Sequence, residues 1–255
     1  SNLGPNTYIM YVEDDYGCWD TASVEIVNPD SLYIDTVVFS NVSCYAWNNG
    51  SIQAISTFGG TAPYMYAVNG GAHHANMAYF NGYGPGTYTV EVFDVNNCAA
   101  QDIIMITQPT ELDVTITTSN WNSYQIQCNG DNSGTATIAV TGGAGIYTYT
   151  VLDINGDTVV SSTNSNISGL TAGTYTFVIT DVNSCSYSET IIYNEPPPIV
   201  HTFIATHVSC SDWNNGSLID SVSGGVGTAT TYNYTWSPGG SNTYSLTSIP
   251  IGTYT

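Results

Sequence analysis

Three times along this chain a Tyr is followed six residues later by Asp, four further on by Cys and eleven further on by Pro. The sets are Tyr8, Asp14, Cys18 and Pro29, then Tyr88, Asp94, Cys98 and Pro109, then Tyr175, Asp181, Cys185 and Pro196. A second ruler places Gly six residues after Cys, with Ser or Thr next: Cys44, Gly50 and Ser51, then Cys128, Gly134 and Thr135, then Cys210, Gly216 and Ser217. Together they define one unit, its ruler tyrosines Tyr8, Tyr88 and Tyr175 standing 80 and 87 residues apart. Copies of a small module fold each on its own core, so repetition adds length and not a shared active site.

The phase of the rulers divides the chain. Residues 1–29 read as the C-terminal part of one repeat, 30–109 and 110–197 as two complete repeats, and 198–255 as the N-terminal part of a fourth. That phase, together with the lack of an initiator Met or secretory leader, predicts an interior stretch of a longer polypeptide. No apolar run is long enough to span a bilayer, so no membrane insertion is expected here.

Charge removes whole classes of function. Lys and Arg are absent against 20 Asp and Glu, a formal net charge of -20. Without cations the chain has nothing to neutralise phosphates, which excludes nucleic acid as a partner; it equally excludes Schiff-base lysines, arginine clamps and Lys–Asn cross-links. Proteases that cut after Lys or Arg find no site, which suits an extracellular surface protein. Repulsion among the acids favours an extended array and attracts external cations.

The six cysteines follow the rulers. One from each ruler falls in each complete repeat, which predicts the intra-repeat pairs Cys44 with Cys98 and Cys128 with Cys185, and leaves Cys18 and Cys210 to pair outside these residues. The alternatives are reduced, buried thiols or a zinc site, but no CxxC knuckle is present. On the loop-entropy account such a bridge contributes about 3 to 4 kcal/mol to a module of this size.

Locally the pattern is strand and turn. Thr87-Tyr88-Thr89-Val90-Glu91-Val92-Phe93, Thr174-Tyr175-Thr176-Phe177-Val178-Ile179 and Tyr8-Ile9-Met10-Tyr11-Val12 alternate and are rich in β-branched and aromatic residues; each runs into an Asp/Asn turn and a second apolar segment. Upstream lie a strand after Gly50 or Gly134, a Gly pair (Gly59-Gly60, Gly142-Gly143, Gly224-Gly225) and a Tyr-x-Tyr strand (Tyr64 and Tyr66, Tyr147 and Tyr149, Tyr232 and Tyr234). No segment has a helical period. Six or seven short strands at this spacing predict an all-β fold of tandem immunoglobulin-like sandwiches, each with one intra-module disulfide.

Leu170, Gly173 and Tyr175 fit the approach to a tyrosine corner, whose phenol bonds back to the connecting loop. The cysteines sit near strand ends, so the expected bridge clips the first connection to the terminal hairpin at one pole. Pro196-Pro197-Pro198 stiffens one joint, and with almost no linker adjacent sandwiches are expected to stack end to end.

The succession Cys-x5-Gly-Ser, Gly-Gly, Tyr-x-Tyr, Leu-x-x-Gly-x-Tyr, Asp-x-x-x-Cys and closing Pro resembles the SprB repeat of Bacteroidetes cell-surface adhesins. The second copy departs from it after Cys128, where Asn129-Gly130-Asp131 replaces the Tyr-Ala-Trp or Ser-Asp-Trp of its neighbours. The resemblance implies very large, type IX-secreted surface proteins, as in gliding motility, whose filaments adhere to substrata, polysaccharide or other cells. It also implies O-glycosylation at Asp followed by Ser or Thr and a small or apolar residue, which places candidate glycans on Thr21, Ser31, Thr36, Thr158 and Ser221.

Other candidates are weighed on their own chemistry. Asp14, Asp94 and Asp181 recur before a turn and fit either a Ca2+ contact or an Asx-turn; no Asp-x-Asp-x-Asp-Gly loop accompanies them, so no cofactor is required. His73, His74, His201 and His207 lack a third recurring ligand. Trp47 and Trp213 suit either a sugar-stacking face or packing over the disulfide. No Gly-x-Ser-x-Gly elbow is present, and no catalytic residue is assigned. The expected function is a non-catalytic structural and adhesive region, its partners being neighbouring repeats, identical chains in a bundle, polysaccharide or other cells; a carbohydrate-binding array is the alternative, and an enzyme's accessory region a third.

Overall fold

The computed structural model describes residues 2–75, 79–226 and 232–255, and among these every regular element is a β-strand. The chain separates into two compact units, Ser1–Glu111 and Leu112–Thr255. All strand pairs are antiparallel.

The first unit opens with a hairpin of β1 (Asn6–Glu13) and β2 (Trp19–Ile26). Then come β3 (Tyr33–Ser40), β4 (Gly50–Phe58), β5 (Met65–Val68), β6 (His74–Ala75), β7 (Tyr79–Tyr83), β8 (Gly86–Phe93) and β9 (Ala99–Ile106). These seven form a three-stranded sheet, β3-β4-β7, and a four-stranded sheet, β6-β5-β8-β9. One cluster joins them: Ile52 and Ala54 of β4 pack with Tyr66, Val68, Val90, Val92, Ile104 and Ile106 of the other sheet.

The second unit repeats the plan. Its strands are β10 (Asp113–Thr118), β11 (Gly134–Thr141), β12 (Thr148–Leu152), β13 (Thr158–Ser162), β14 (Asn166–Leu170), β15 (Gly173–Thr180) and β16 (Ser186–Tyr193). They make the sheets β10-β11-β14 and β13-β12-β15-β16. Three more, β17 (Val200–Thr206), β18 (Gly216–Ser223) and β19 (Ser245–Ile249), form a sheet in the order of β3-β4-β7. The three-plus-four sandwich of antiparallel strands is immunoglobulin-like, as the strand spacing predicts.

Alternation explains which face is buried. In β15, Tyr175, Phe177 and Ile179 point into the core while Thr174, Thr176 and Val178 face outward. Phe177 and Ile179 meet Ala136, Ile138, Ile167 and Leu170 from the opposite sheet. Each such large apolar side chain contributes about 1.5–3 kcal/mol on burial. The β1–β2 hairpin shows the same period without an opposing sheet: Met10 and Val12 are 60% and 55% exposed, whereas their counterparts Val90, Val92, Phe177 and Ile179 are all 0%.

The Gly of the second ruler is a packing requirement. A Cβ on Gly50 would lie 2.8 Å from the Tyr83 carbonyl oxygen, and one on Gly134 would lie 2.7 Å from that of Leu170. At both places the pairing register slips, so the backbones of β4 and β7, or of β11 and β14, come too close for any side chain.

Candidate functional site

The chemistry of each copy gathers at its two poles. At the first, the hairpin turn is built by its Asp. Asp94 Oδ1 accepts the amides of Asn96 and Cys98, each at 2.8 Å, and Asp181 Oδ1 those of Asn183 and Cys185, each at 2.9 Å. Asp14 does the same for Tyr16 and Cys18. The fourth turn residue has positive φ in each copy, at Gly17, Asn97 and Ser184. Asp153, which lies off the ruler, closes its own hairpin through Asn155 and Asp157, so the device is Asx-turn chemistry and does not depend on the cysteine.

The remaining carboxylate oxygen reaches out of the turn. Asp94 Oδ2 accepts from the Thr61 amide at 2.9 Å, and Asp181 Oδ2 from the Ala144 amide at 2.8 Å, just past the Gly pair. Burial alone would raise the Asp94 carboxyl; the amides of Cys98, Thr61 and Asn96 outweigh that and hold it below its ordinary value. The Gly pair in turn grips the segment that leads into the copy. Gly60 N donates to Asp30 O and Gly225 N to Pro197 O. A Cβ on Gly59 or Gly224 would overlap the Ser31 or Pro198 carbonyl. Tyr64, Tyr147 and Tyr232 donate their hydroxyls to the carbonyls of Gly59, Gly142 and Gly224. None of these linker contacts was visible in either ruler, although the invariant Gly pair was the signal for them.

At the opposite pole the loop carrying the other cysteine grips the segment that leads out. In the first copy Val42 N donates to Thr107 O, Thr107 N to Asn41 Oδ1, and Ala46 N to Gln108 Oε1. In the second, Gln125 and Ile126 donate to Asn194 O, Gly130 N to Glu195 Oε2, and Asn129 Nδ2 to both Glu195 Oε1 and Pro196 O. The departure at Asn129-Gly130-Asp131 thus replaces one way of holding the outgoing strand with another.

This geometry overturns the expected disulfides. Cys98 and Cys128 are free thiols, as are Cys18 and Cys210, while Cys44 and Cys185 are the two cysteines in disulfide linkage. Neither Cys44 with Cys98 nor Cys128 with Cys185 is a pair. Cys98 precedes β9 and the Cys44 loop binds the residues just after it, so an eight-residue strand, about 26 Å long, separates them. Cys128 and Cys185 flank β16 in the same way. A disulfide tolerates a Cα separation of only about 4.4–6.8 Å.

The tyrosine corner is present in every copy: Tyr8, Tyr88, Tyr175 and Tyr254 bond to the carbonyls of Gly4, Gly84, Thr171 and Pro250, four residues back. Trp47 and Trp213 do not pack as lids, being 52% and 56% exposed. Thr21, Ser31, Thr36, Thr158 and Ser221 all lie on the surface. His201 Nδ1 stands 2.9 Å from Asp220 Oδ2. No cluster of three or more His, Cys, Asp or Glu side chains suited to a metal occurs among the described residues, and they include no helix long and apolar enough to cross a membrane.

Comparison with known proteins falls on the loop cysteine and the strands that follow it. Residues 36–73 and 122–156 match the SprB repeat. The two matches fall one in each complete repeat unit. Each SprB repeat match runs through Cys44 or Cys128, the Gly of the second ruler, the Gly pair and the Tyr-x-Tyr strand; the terminal hairpins, with Cys98 and Cys185, lie outside both. No curated protein matches. Among solved structures the chain is similar to the three N-terminal domains of the highly immunogenic outer capsid protein (Hoc) of bacteriophage RB49, at 12% identity and TM-score 0.40 over 81% of this chain and 74% of that one. It is also similar to Dscam, from a structure addressing isoform specificity, at 12% identity and TM-score 0.29 over 73% and 53%.

Proposed function

We propose that these residues are a non-catalytic repeat region of a long extracellular, cell-surface filament or adhesin, with residues 30–109 and 110–197 acting as spacer modules between sites of attachment to surfaces, polysaccharide or other cells. The observation that supports this most is the use of both poles of each copy. Conserving the Asp turn, the Gly pair and the loop cysteine in copy after copy maintains a grip on incoming and outgoing chain, which is what a tension-bearing array requires and what an isolated binding domain does not. Complete absence of Lys and Arg fits exposure to secreted proteases, and surface placement of Thr21, Ser31, Thr36, Thr158 and Ser221 is compatible with glycans on the same surface.

Immunogold labelling of the native cells with antibody against residues 30–197 tests this. Gold arranged along extracellular fibres supports the reading; label confined to the cell interior overturns it. A second reading rests on the half-exposed Trp47 and Trp213, which occupy the same place in two copies and present indole faces of the kind that stack on sugars. Retention of the chain on polysaccharide, lost in Trp47→Ala, would favour a carbohydrate-binding array instead.

A further inference from the structure

We propose that the β1–β2 hairpin of one chain docks on the open half-sandwich of a second copy, residues 198–255, so that chains join head to tail. The inference does not rest on the filament reading.

Both complete sandwiches display the interface in question. In each, a three-stranded sheet, β3-β4-β7 or β10-β11-β14, packs against a terminal hairpin, β8–β9 or β15–β16. The chain also carries the two halves of that interface apart. The sheet β17-β18-β19 has the strand order of the first half. The β1–β2 hairpin has the register of the second: Asn6 opposes Ile26 as Gly86 opposes Ile106 and Gly173 opposes Tyr193.

On the hairpin, Met10, Val12 and Val24 take the places of Val90, Val92 and Ile104, which are buried in the first core; here all three are exposed. On the sheet, Phe203 takes the place of Val37 and Ile116 and is exposed as well. A cavity of about 430 Å3 surrounds Gly216, lined by Val208, Leu218, Ile249, Ile251 and Tyr254. In the complete copies the last strand of the hairpin fills this place. A Cβ on Gly50 would lie 3.0 Å from Ile106 Cγ2, and Tyr193 Oη donates to Thr135 O, next to Gly134. Ile26 holds the register place of Ile106 and Tyr193, so it is the side chain for that cavity. One inward place is polar: Asp220 stands where Ala54 and Ile138 stand, and its Oδ2 already has His201 Nδ1 at 2.9 Å.

The acceptor also fixes the register. Ser237 and Thr255 exchange both backbone hydrogen bonds, the pairing that Leu152 and Thr176 make in the second sandwich. Counting on from Tyr254 as from Tyr175, Met10 comes opposite Trp236 and Val12 opposite Tyr234, as Phe177 opposes Val151 and Ile179 opposes Tyr149. Asn233, Tyr234 and Thr235 lie in no strand and offer their edge to the incoming one. Tyr254 already makes the corner bond, to Pro250 O. Residues 252–255 of the acceptor therefore take over from residues 6–9 of the donor and pair with its residues 23–26.

A second copy is the occupant because the hairpin has no free tether. Its connection to β3 is only residues 27–32, and Gly60 N pins that connection at Asp30 O. Donor and acceptor surfaces differ, so the association is heterologous, and chains add one after another. With a net charge of -20 on each chain, salt screens the repulsion and favours joining.

The test is sedimentation velocity of the 255-residue chain over a concentration series at physiological salt, with amide hydrogen exchange on the same samples. The mass is expected to climb with concentration through dimer and beyond, while exchange in Tyr8–Val12, fast in the most dilute sample, slows in step. Met10→Asp combined with Val12→Asp removes two apolar anchors and is expected to weaken association by roughly tenfold or more. Tyr11→Glu, which copies Glu91 on the opposite face of the strand, leaves association unchanged. Neither change touches a sandwich core, so far-ultraviolet circular dichroism stays that of the parent chain. A monomer at every concentration up to the millimolar range overturns the proposal. So does hairpin protection independent of concentration, which would mean closure within one chain, or association that survives the Met10 and Val12 changes. The filament reading stands or falls separately, by the labelling of cells.

Discussion

Asp181 holds Cys185 in place from four residues away: the Cys185 amide donates to Asp181 Oδ1 at 2.9 Å, and Asp181 N donates back to Cys185 O at 3.0 Å. The other oxygen of the same carboxylate binds the Ala144 amide. One buried side chain therefore fixes the hairpin turn, the cysteine and the Gly pair that receives the incoming chain. It follows that the Asp and Cys of the first ruler are physically coupled, although the Asx-turn forms elsewhere without a cysteine.

Removing that carboxylate leaves three amides, those of Ala144, Asn183 and Cys185, without their acceptor. A buried donor stripped of its partner costs about 1–3 kcal/mol, so Asp181→Ala is expected to destabilise its sandwich by roughly 3 kcal/mol or more. Urea unfolding followed by tryptophan-independent probes, such as far-ultraviolet circular dichroism, should show the transition that Asp181→Ala affects move to lower denaturant. An unchanged midpoint would show that the turn holds without Asp181.

Asp94 carries the acid response of the other sandwich. Its folded carboxyl sits below the ordinary value because the amide bonds outweigh desolvation, so its contribution is fully present above the usual carboxylate range of about 4 and is lost as pH falls through the folded value. General repulsion among the acids acts the other way, relaxing on protonation. The difference between wild type and Asp94→Asn isolates the local effect: the gap in melting temperature is expected to be widest near neutrality and to shrink below pH 4. A gap independent of pH would leave Asp94 without that role.

Much of this architecture was legible. Leu170, Gly173 and Tyr175 announced the corner, the alternation of Thr174–Ile179 announced a half-buried strand, and Asp-x-x-x-Cys announced the turn, because each is decided within ten residues of sequence. The cysteine pairing was not, since spacing along the chain says nothing of which pole a residue occupies; only the placement of β9 between Cys44 and Cys98 rules that pair out. The linker grip by Gly60 and Gly225 was hidden for the same reason, being a contact between segments about thirty residues apart.

Tyr193 sets the alkaline limit. Buried between the sheets against Tyr175, with its hydroxyl donating to Thr135 O, it is pushed up to about 12, first by desolvation and then by its neighbour. Its folded value lies above that of the unfolded chain, so its contribution is whole below about pH 10 and is lost as pH rises towards 12. Absorbance titration at 295 nm is expected to show a late-ionising tyrosine that Tyr193→Phe removes, with a loss of about 1 kcal/mol at neutral pH from the missing hydrogen bond. Uniform titration of every tyrosine near 10 would refute the burial argument.

The β1–β2 hairpin provides the sharpest contrast within one chain. Its register is that of β8–β9 and β15–β16, eight residues a strand closed by the same Asp turn, yet Met10 and Val12 have no sheet opposite them. A lone two-stranded hairpin is marginal in water, while the same hairpin inside a sandwich shares the global stability of its core. Amide hydrogen exchange read by mass spectrometry is therefore expected to show Tyr8–Val12 exchanging at least a hundredfold faster than Tyr88–Val92 or Tyr175–Ile179. Comparable protection in all three would mean that turn and cross-strand pairs suffice to hold the hairpin, and that burial of Val90, Val92, Phe177 and Ile179 is not what stabilises its counterparts.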